Sequence, residues 1–481
     1  MNTPNATVPR IIQGGMGVAI SAWPLARAVS RTGQLGVVSG TALEIVCARR
    51  LQLGDPGGHV RRALAAFPVP GIADRILAAY FRPAGRAAQA SFRPVPRFTL
   101  RPGRPLQELT AAANFVEVFL AKEGHDGVVG INYLGKIELP VPFACYGAML
   151  AGVDYVLVGA GSPAELPGLL DRLARHEPVS LAVRVQGSTS ADGDFAVRFD
   201  PRDLFAADLP DLRRPRLLAI VASVDLARGL AADPVSCPDG FVVEGHPAGG
   251  HNAPPRGVRR LDPTGQPIYD GRDVVAPDAL AGVGVPYWLA GSYATPDGLA
   301  RALAGGATGV QAGTIFALSR ESGMADELKH RLSERVTAGT VAVRTDGRAS
   351  PTGFPFKVAD IEGTLSDHDV YASRNRLCDL GVLRAAYRKA DGTVGYRCPA
   401  EPVEVYVDRR GGRIDNTTGR CCLCNALLAT AGLPQQRPDG YTEPAIVTAG
   451  TDFTGARHLL AGVVDGDTYT AADAVAYLLG D

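Results

Sequence analysis

The chain lacks the features that mark membrane, secreted and nucleic-acid-binding proteins. It has no uninterrupted run of 18 or more apolar residues, and its first ten residues lack the basic-then-apolar order of a signal peptide. Its 49 Lys and Arg residues balance 49 Asp and Glu residues, so net charge favours neither nucleic acid nor an anionic membrane as a partner. The arginine-rich stretch 82–105 is interrupted by Pro and Gly and is interpreted as a solvated surface segment. We therefore expect a cytoplasmic protein that acts on small molecules.

The composition is that of a large globular protein. The 481 residues are 46% hydrophobic and 20% charged, which is ordinary for a soluble fold with a sizeable core. This length fits one barrel-sized domain with insertions, or two to three smaller domains.

Short apolar runs, several of them followed by a glycine and a helical pattern, recur through the first two thirds of the chain. They read as parallel strands buried on both faces. The eight runs are 10–17, 35–40, 128–134, 154–161, 216–223, 240–245, 286–292 and 309–316. Eight such strands alternating with helices predict an α/β fold of the (β/α)8 TIM-barrel type, with its active site at the carboxyl ends of the strands. A doubly wound sheet is the structural rival.

Two regions interrupt this rhythm, and it stops before the chain ends. Residues 44–125 are too long for one helix and predict an inserted, partly helical excursion, while 180–210 resemble a hairpin inserted before the fifth barrel strand. We expect a barrel over residues 1–325 and a partly helical, cysteine-rich C-terminal extension over 326–481.

Polar and glycine residues follow several of the predicted strands. Gln13 and Gly14-Gly15 close the first strand, where an amide side chain and close backbone approach suit a heterocyclic ring, although this stretch taken alone favours a tight turn. The sequences AGS at 290–292 and QAGT at 311–314 end the last two strands, where barrels of this type commonly bind phosphate. The pattern predicts a phosphate site there, against the alternative of simple turns.

Histidine is scarce, yet two of the eight histidines flank one glycine pair after the sixth strand. His251 is a candidate proton carrier, because imidazole titrates near neutral pH. A loop histidine bonded to backbone is the alternative. His246 precedes a proline and is interpreted as a turn residue.

In order and spacing, IIQGGMG at 11–17, AGGH at 248–251, LAGS at 289–292 and GVQAGT at 309–314 resemble the nitronate monooxygenase family, which also contains FMN-dependent enoyl-thioester reductases. The resemblance covers about residues 10–325 and implies a TIM barrel with non-covalent FMN. It implies that His251 is the catalytic acid or base. The residues it implies around FMN are Gln13, Gly14, Gly15, Met16, Gly249, Gly250, Gly291, Ser292, Gly313 and Thr314.

The same resemblance implies two activities. The first is oxidation of alkyl nitronates with O2 through a flavin intermediate. The alternative is reduction of an enoyl thioester with NAD(P)H as co-substrate, in association with a polyketide or fatty-acid assembly line and its acyl carrier protein. The Gly14-Gly15-Met16 sequence is typical of the reductase branch, so it shifts weight toward reduction.

Five of the eight cysteines lie in the last quarter of the chain. Cys378, Cys398, Cys422 and Cys424 are candidate ligands for a structural Zn²⁺ or an iron–sulfur cluster. Of these four, only Cys422 and Cys424 lie close in sequence, as a CxC pair, and buried thiols packed as small hydrophobes are the alternative.

Two further function classes stay open at this point. A barrel that keeps the FMN-binding residues could serve as a binding partner in a larger complex, without turnover. A flavin-free phosphate-binding aldolase or isomerase would need a lysine or paired carboxylates at the strand ends. No predicted strand ends in lysine, although Glu244 closes the sixth strand, so flavin is the better explanation.

Overall fold

The computed structural model describes residues 8–204, 209–280, 282–463 and 467–481. Its strands are β1 (Ile11–Gln13), β2 (Leu35–Ser39), β3 (Val129–Leu134), β4 (Tyr155–Gly159), β5 (Val179–Ala182), β6 (Val185–Gln186), β7 (Ala196–Phe199), β8 (Arg216–Val221), β9 (Gly240–Glu244), β10 (Tyr287–Ala290), β11 (Gly309–Ala312), β12 (Val343–Asp346), β13 (Phe356–Ala359), β14 (Ala385–Arg388) and β15 (Val394–Arg397).

The α-helices connect and surround these strands. They are α1 (Trp23–Ser30), α2 (Leu43–Gln52), α3 (His59–Ala65), α4 (Pro70–Tyr80), α5 (Arg104–Lys122), α6 (Val141–Leu150), α7 (Leu166–Ala174), α8 (Pro201–Leu204), α9 (Val224–Ala232), α10 (Pro296–Ala304), α11 (Thr314–Ala317), α12 (Asp326–Thr337), α13 (His368–Ser373), α14 (Leu423–Thr430), α15 (Thr454–Leu460) and α16 (Ala471–Leu479).

Eight parallel strands close into a barrel in the order β1-β11-β10-β9-β8-β4-β3-β2. Each of the eight predicted apolar runs contains one of these strands, so the TIM-barrel prediction is confirmed. The strands are buried because helices cover their outer faces, while Trp288, Tyr155 and aliphatic side chains fill the interior. Trp288 is 2% exposed, and its indole N–H donates to the carbonyl of Pro9 at 2.9 Å.

Helices α2 to α5 and an extended segment occupy the long stretch between β2 and β3. The longest of them, α5, is buried along most of its 19 residues and packs against α6, α2 and α1. In the predicted hairpin region, β5 and β7 pair antiparallel, as the pattern indicated. Among the described residues, no helix has the length and apolar character needed to cross a membrane.

The residues after α11 pack tightly onto the barrel. The short strand β6, which precedes the fifth barrel strand, pairs in parallel with β14, and β14 pairs with β15. The terminal helix α16 begins with a Thr470–Asp473 capping box and packs against α1, α10 and α15. The C-terminal third of the chain therefore contacts both the barrel helices and the upper rim of the barrel.

Candidate active site

A cavity of about 260 Å³ lies at the carboxyl ends of the barrel strands. Loops after β1, β3, β9, β10 and β11 form one side of it. Residues from the C-terminal third, among them Leu383, Leu423, Leu427 and Thr448, close the other side. The cavity is thus built jointly by the barrel and by the segment that follows it.

Most of the residues predicted to bind a cofactor or to catalyse line this one cavity. They are Gly14, Gly15, Met16, Gly249, Gly250, His251, Gly291, Ser292, Gly313 and Thr314. The exception is Gln13, which is fully buried and does not reach the cavity. Its amide donates to the Ser21 hydroxyl at 2.9 Å, and its oxygen accepts from the Val37 N–H at 3.0 Å. Because these bonds use both ends of the amide, Gln13 joins β1 to its neighbours.

The backbone at the last strand ends adopts conformations that favour glycine. Gly291 has φ +92°, and Ser292, which follows it, has φ +62°. A Cβ at Gly291 would lie 3.1 Å from the carbonyl oxygen of Gly245. The turn after β10 therefore requires a left-handed backbone conformation at Gly291, in close contact with the loop after β9. Gly291 adds no side chain to the cavity surface at this point.

Two polar groups that the sequence assigned to a cofactor already bond to the C-terminal third of the chain. The Gly250 N–H donates to the Thr448 hydroxyl, and the Gly450 N–H donates to the Thr314 hydroxyl, both at 2.9 Å. These bonds tie the AGGH loop and the end of β11 to residues 448–450. The extension therefore fixes the loops around the cavity.

Residues 350–357 pack against His251. Its Nε2 lies 2.7 Å from the Ser350 hydroxyl, and its ring meets the edge of Phe356 at 5.0 Å between centroids. Ser350 is fully buried and lies 2.7 Å from the Thr352 hydroxyl. A chain of hydroxyls thus starts at the imidazole and orients the ring.

Burial and one neighbouring positive charge keep the His251 imidazole neutral. Burial, and after it the positive charge of Lys136, lower the pKa of His251 to about 3. Burial also lowers the pKa of Lys136 to about 7 and raises that of Glu244 to about 7. Glu244 lines the cavity at the end of β9. Lys136, whose charge acts on His251, and Glu244, which lines the same cavity, therefore titrate close to neutral pH, whereas His251 does not.

Two amide oxygens in the cavity wall have no hydrogen-bond partner among the described residues. They are Asn132 Oδ1, on β3, and Gln311 Oε1, on β11. A buried amide oxygen without a partner costs free energy, so such atoms indicate a ligand with N–H or O–H donors. The glycine turns and these amides fit a flavin, whose ring offers an N–H donor and whose phosphate suits backbone amides.

Part of the cavity lining is apolar. Its residues, which we call the apolar wall, are Val18, Ile20, Met324, Val382, Leu383, Leu423, Leu427 and Ile446. Such a surface suits a hydrocarbon chain or ring, because contact with it removes apolar surface from water.

The four cysteines predicted as metal ligands interact with one another. Cys398 interacts with Cys378 and Cys424, and Cys422 interacts with Cys424 and Cys378. In the part of the chain that the structure describes, no group of three or more His, Cys, Asp or Glu side chains is placed to hold a metal ion, so the metal site stays a prediction. The Cys422 hydrogen bond lowers the pKa of Cys424, which lines the cavity.

Sequence reasoning missed several residues of this site. Asn132 and Gln311 lie inside strand patterns that the sequence did identify, and a polar amide within a largely apolar strand was the available signal. Five of the eight residues of the apolar wall come from the extension, and Ser350 and Thr448 lie 99 and 198 positions from the motif residues that they contact. No local pattern indicates such long-range contacts.

Comparison with known proteins supports the motif analysis over part of the chain. Residues 214–353 match the sequence profile of the family described as "Nitronate monooxygenase". Two curated relatives are both called (3aS,4S,5R,7aS)-5-hydroxy-7a-methyl-1-oxo-octahydro-1H-indene-4-carboxyl-CoA dehydrogenase. The Mycobacterium tuberculosis protein is 36% identical and the Rhodococcus jostii protein 34% identical, each over 110 residues or 23% of this chain. The aligned segment spans only 28% and 27% of their lengths.

Solved structures align over almost the whole chain at low identity. FabK from Thermotoga maritima is 16% identical with a TM-score of 0.47, over 98% of this chain and 92% of that one. A nitroalkane oxidase from Streptomyces ansochromogenes is 16% identical, with a TM-score of 0.46 over 98% and 95%. The enoyl reductase domain of MlnA from Bacillus amyloliquefaciens is 11% identical, with a TM-score of 0.49 over 98% and 93%.

The profile match spans β8 to β12 and includes the AGGH motif, both late glycine turns and Ser350. The resemblance of this chain to the nitronate monooxygenase family is therefore confirmed through the segment 214–353, which carries seven of the eleven predicted catalytic and cofactor-binding residues.

Proposed function

We propose that this protein is an FMN-dependent oxidoreductase that acts on an acyl thioester with an apolar acyl group. One observation carries the proposal: a single cavity brings together glycine turns and unpartnered amides, suited to a flavin, and the apolar wall. A small nitronate would leave most of that apolar surface uncovered. The two curated relatives are named for an acyl-CoA substrate with an apolar ring system, which agrees with this choice.

The residues divide between holding the cofactor and serving the substrate. Gly14, Gly15, Met16, Asn132 and Gln311 would contact the ring, and the turns at Gly291-Ser292 and Gly313-Thr314 would hold the phosphate. When bound, FMN supplies hydride transfer to or from the carbon next to the thioester's α-carbon, with NAD(P)H as the reductant in the reductive direction.

The proton at the α-carbon is assigned to residues of the chain itself. His251 is neutral across the physiological range because its pKa is about 3. It can therefore give up a proton only if another group supplies a proton to the imidazole. Glu244, with a pKa of about 7, lines the same cavity and can hold that proton. The Ser350 hydroxyl fixes the imidazole in place.

Oxidation of alkyl nitronates is the second candidate. The matching family is described as nitronate monooxygenase, and this description favours the oxidation. A nitronate is already an anion, so it needs no proton removed and should tolerate loss of His251 better than a thioester does.

A series of thioesters with different acyl-chain lengths tests whether the acyl group lies against the apolar wall. Leu427→Trp fills part of the space beside this wall, so we expect kcat/KM to fall for thioesters with long acyl chains and to change little for four-carbon ones. Leu226→Trp, at a 46% exposed position on α9, is the matched control. Equal losses for short and long chains would show that the acyl group does not lie there.

A further inference from the structure

Four of the eight cysteines meet at one place in the C-terminal third of the chain. Three segments bring them there: the loop after α13, the end of β15 and the start of α14. The Cys378 and Cys398 thiols share a hydrogen bond, as do the Cys422 and Cys424 thiols, and each pair interacts with the other. We call these four residues the thiol cluster.

Polar contacts fix the segments that carry the thiol cluster. The Asn425 amide on α14 donates to Asp379 Oδ1 at 2.8 Å and to Cys422 Sγ at 3.5 Å. Asp379 also forms an ion pair with Arg437 at 2.8 Å. These contacts hold the start of α14 against the segment that contains Cys378, so the thiols stay close together in the folded chain.

The thiol cluster extends from accessible surface to the cavity. Cys378 and Cys422 are partly exposed, whereas Cys398 and Cys424 are buried. Cys424 lines the cavity next to Leu423 of the apolar wall. Each pair therefore combines a sulfur that a dissolved reagent can reach with a buried one.

The remaining buried cysteines of the chain lie in different surroundings. Cys47 and Cys145 are 4% and 0% exposed and belong to the main hydrophobic core. Cys421, adjacent to Cys422 in sequence, packs with Phe356 in a separate buried cluster. A thiol buried among apolar groups is inert, whereas an accessible thiol beside a second one is readily oxidised to a disulfide. The thiol cluster has the second arrangement.

The arrangement of the sulfurs suits exchange better than it suits a metal ion. Thiol–disulfide exchange needs only two protein sulfurs in contact, whereas a structural metal needs four ligands around one point. Within the described ranges of the chain, no group of three or more His, Cys, Asp or Glu side chains is placed to hold a metal. The hydrogen-bonded pairs meet the requirement of exchange.

We propose that the thiol cluster is a thiol–disulfide exchange site that takes low-molecular-weight disulfides. The sulfur of Cys378 or Cys422 attacks one sulfur of the reagent, and one small thiol leaves. The paired sulfur of Cys398 or Cys424 then displaces the second small thiol and closes an intramolecular disulfide. For each pair, two protein S–H groups are oxidised, one external disulfide is reduced, and both protons leave on the released thiols.

Oxidation of the second pair would reach the cavity through α14. A Cys422–Cys424 disulfide constrains the first turn of this helix, and Leu423 and Leu427 on the same helix belong to the apolar wall. We therefore expect oxidation to change how the cavity holds an acyl group. This consequence rests on the proposed function, whereas the exchange itself does not.

The first test counts disulfides and needs no turnover. The full-length protein is equilibrated with oxidised glutathione, quenched with acid, alkylated under denaturing conditions and analysed by intact mass and peptide mapping. We expect two disulfides confined to the thiol cluster, so that four of the eight cysteines are joined within the chain. Cys237, which is partly exposed, should carry only a glutathione adduct. This result is read on the wild-type protein, so it does not depend on whether a variant folds.

Matched variants identify the partners in each pair. Cys398→Ser should leave a glutathione adduct on Cys378, because the sulfur that would displace the glutathione is missing. Cys422→Ser should leave Cys424 outside any disulfide. Cys421→Ser, one position away, should keep both disulfides.

A second readout separates this proposal from the proposed function. For a long-chain thioester, kcat/KM should fall in the oxidised wild-type protein and return with dithiothreitol, whereas oxidised and reduced Cys422→Ser should not differ. If the disulfides form but no thioester is turned over, the proposed function fails and the exchange site stands. The exchange site is overturned if all eight cysteines can still be alkylated after oxidation, or if a disulfide includes Cys421 or Cys237. Near-stoichiometric zinc or iron that protects the thiols would also overturn it, in favour of the predicted metal site.

Discussion

At the scale of single residues, the site depends on how His251 is held. Its Nε2 contacts the buried Ser350 hydroxyl at 2.7 Å, and Phe356 packs on its ring. The imidazole is thereby fixed and kept neutral, so its work is to pass a proton rather than to store a charge. This separates the residue that touches the substrate from the residue that positions it.

Comparison of His251→Asn with Ser350→Ala tests that division. We expect His251→Asn to retain flavin and to slow thioester turnover by about 10²–10⁴-fold, the usual contribution of a general acid or base. Ser350→Ala should cost less in kcat and shift the pH profile, because the ring is present but freer to rotate. Ser350→Thr should restore part of the activity. Loss of flavin with unchanged turnover per bound flavin would contradict the role of His251.

Glu244 predicts a pH dependence of stability. Burial raises its pKa from 4.5 to about 7, so between these pH values the folded chain binds a proton that the unfolded chain releases. The free energy of unfolding therefore falls as pH rises through this range, by at most about 3 kcal/mol from this group. In flavin-free protein, Glu244→Gln should raise Tm relative to wild type at pH 8 and not at pH 4. An equal Tm difference at both pH values would refute the buried, protonated carboxyl.

At the scale of elements, the contact between the AGGH loop and residues 448–450 joins the two parts of the chain. A Cβ at Gly249 would lie 2.9 Å from the carbonyl carbon of Ala449 and 3.0 Å from the nitrogen of Gly450. Backbone atoms cannot yield as a flexible side chain can, so the loop and the extension would have to separate. The cavity would then lose part of its wall.

Gly249→Ala should accordingly destabilise the protein by about 1–3 kcal/mol, the usual cost of overpacking, and weaken flavin binding. Gly229→Ala is the matched control, since it lies inside α9 with nothing within 4 Å of its added Cβ. That change should raise stability by about 0.5–1 kcal/mol. Thermal unfolding of both variants checks the prediction, and a Gly249→Ala protein as stable as the control would mean that this contact is loose.

The sequence allowed the elements to be predicted unevenly. The barrel strands were recognisable because burial on both faces produces continuous apolar runs. The contacts of β6 with β14 and of Ser350 with His251 were not, since they join residues about 200 and 99 positions apart through packing alone. The four cysteines predicted as metal ligands do interact across the fold, but the described residues hold no group of three or more His, Cys, Asp or Glu side chains placed to bind a metal, so the metal site stays a prediction.

At the scale of the whole molecule, the barrel supplies the glycine loops predicted to bind the cofactor, and the C-terminal third supplies five of the eight residues of the apolar wall and the hydroxyl that contacts His251. The division into a barrel over 1–325 and an extension over 326–481 stays a prediction. The motif order IIQGGMG, AGGH, LAGS and GVQAGT indicated the barrel loops correctly, except for Gln13. It could not indicate the substrate, because the residues that would contact an acyl group lie outside those motifs.

The most direct test of the proposed function is an anaerobic absorbance titration of the purified protein, followed at the flavin band at about 450 nm. One sample receives NADH or NADPH and then an enoyl-CoA with a long acyl chain, and a second receives a small alkyl nitronate. We predict that the nicotinamide bleaches the band and that the enoyl-CoA restores it. Bleaching by the nitronate alone would support the second candidate function instead. A protein that shows no flavin band, purified alone or after incubation with FMN, would contradict the account.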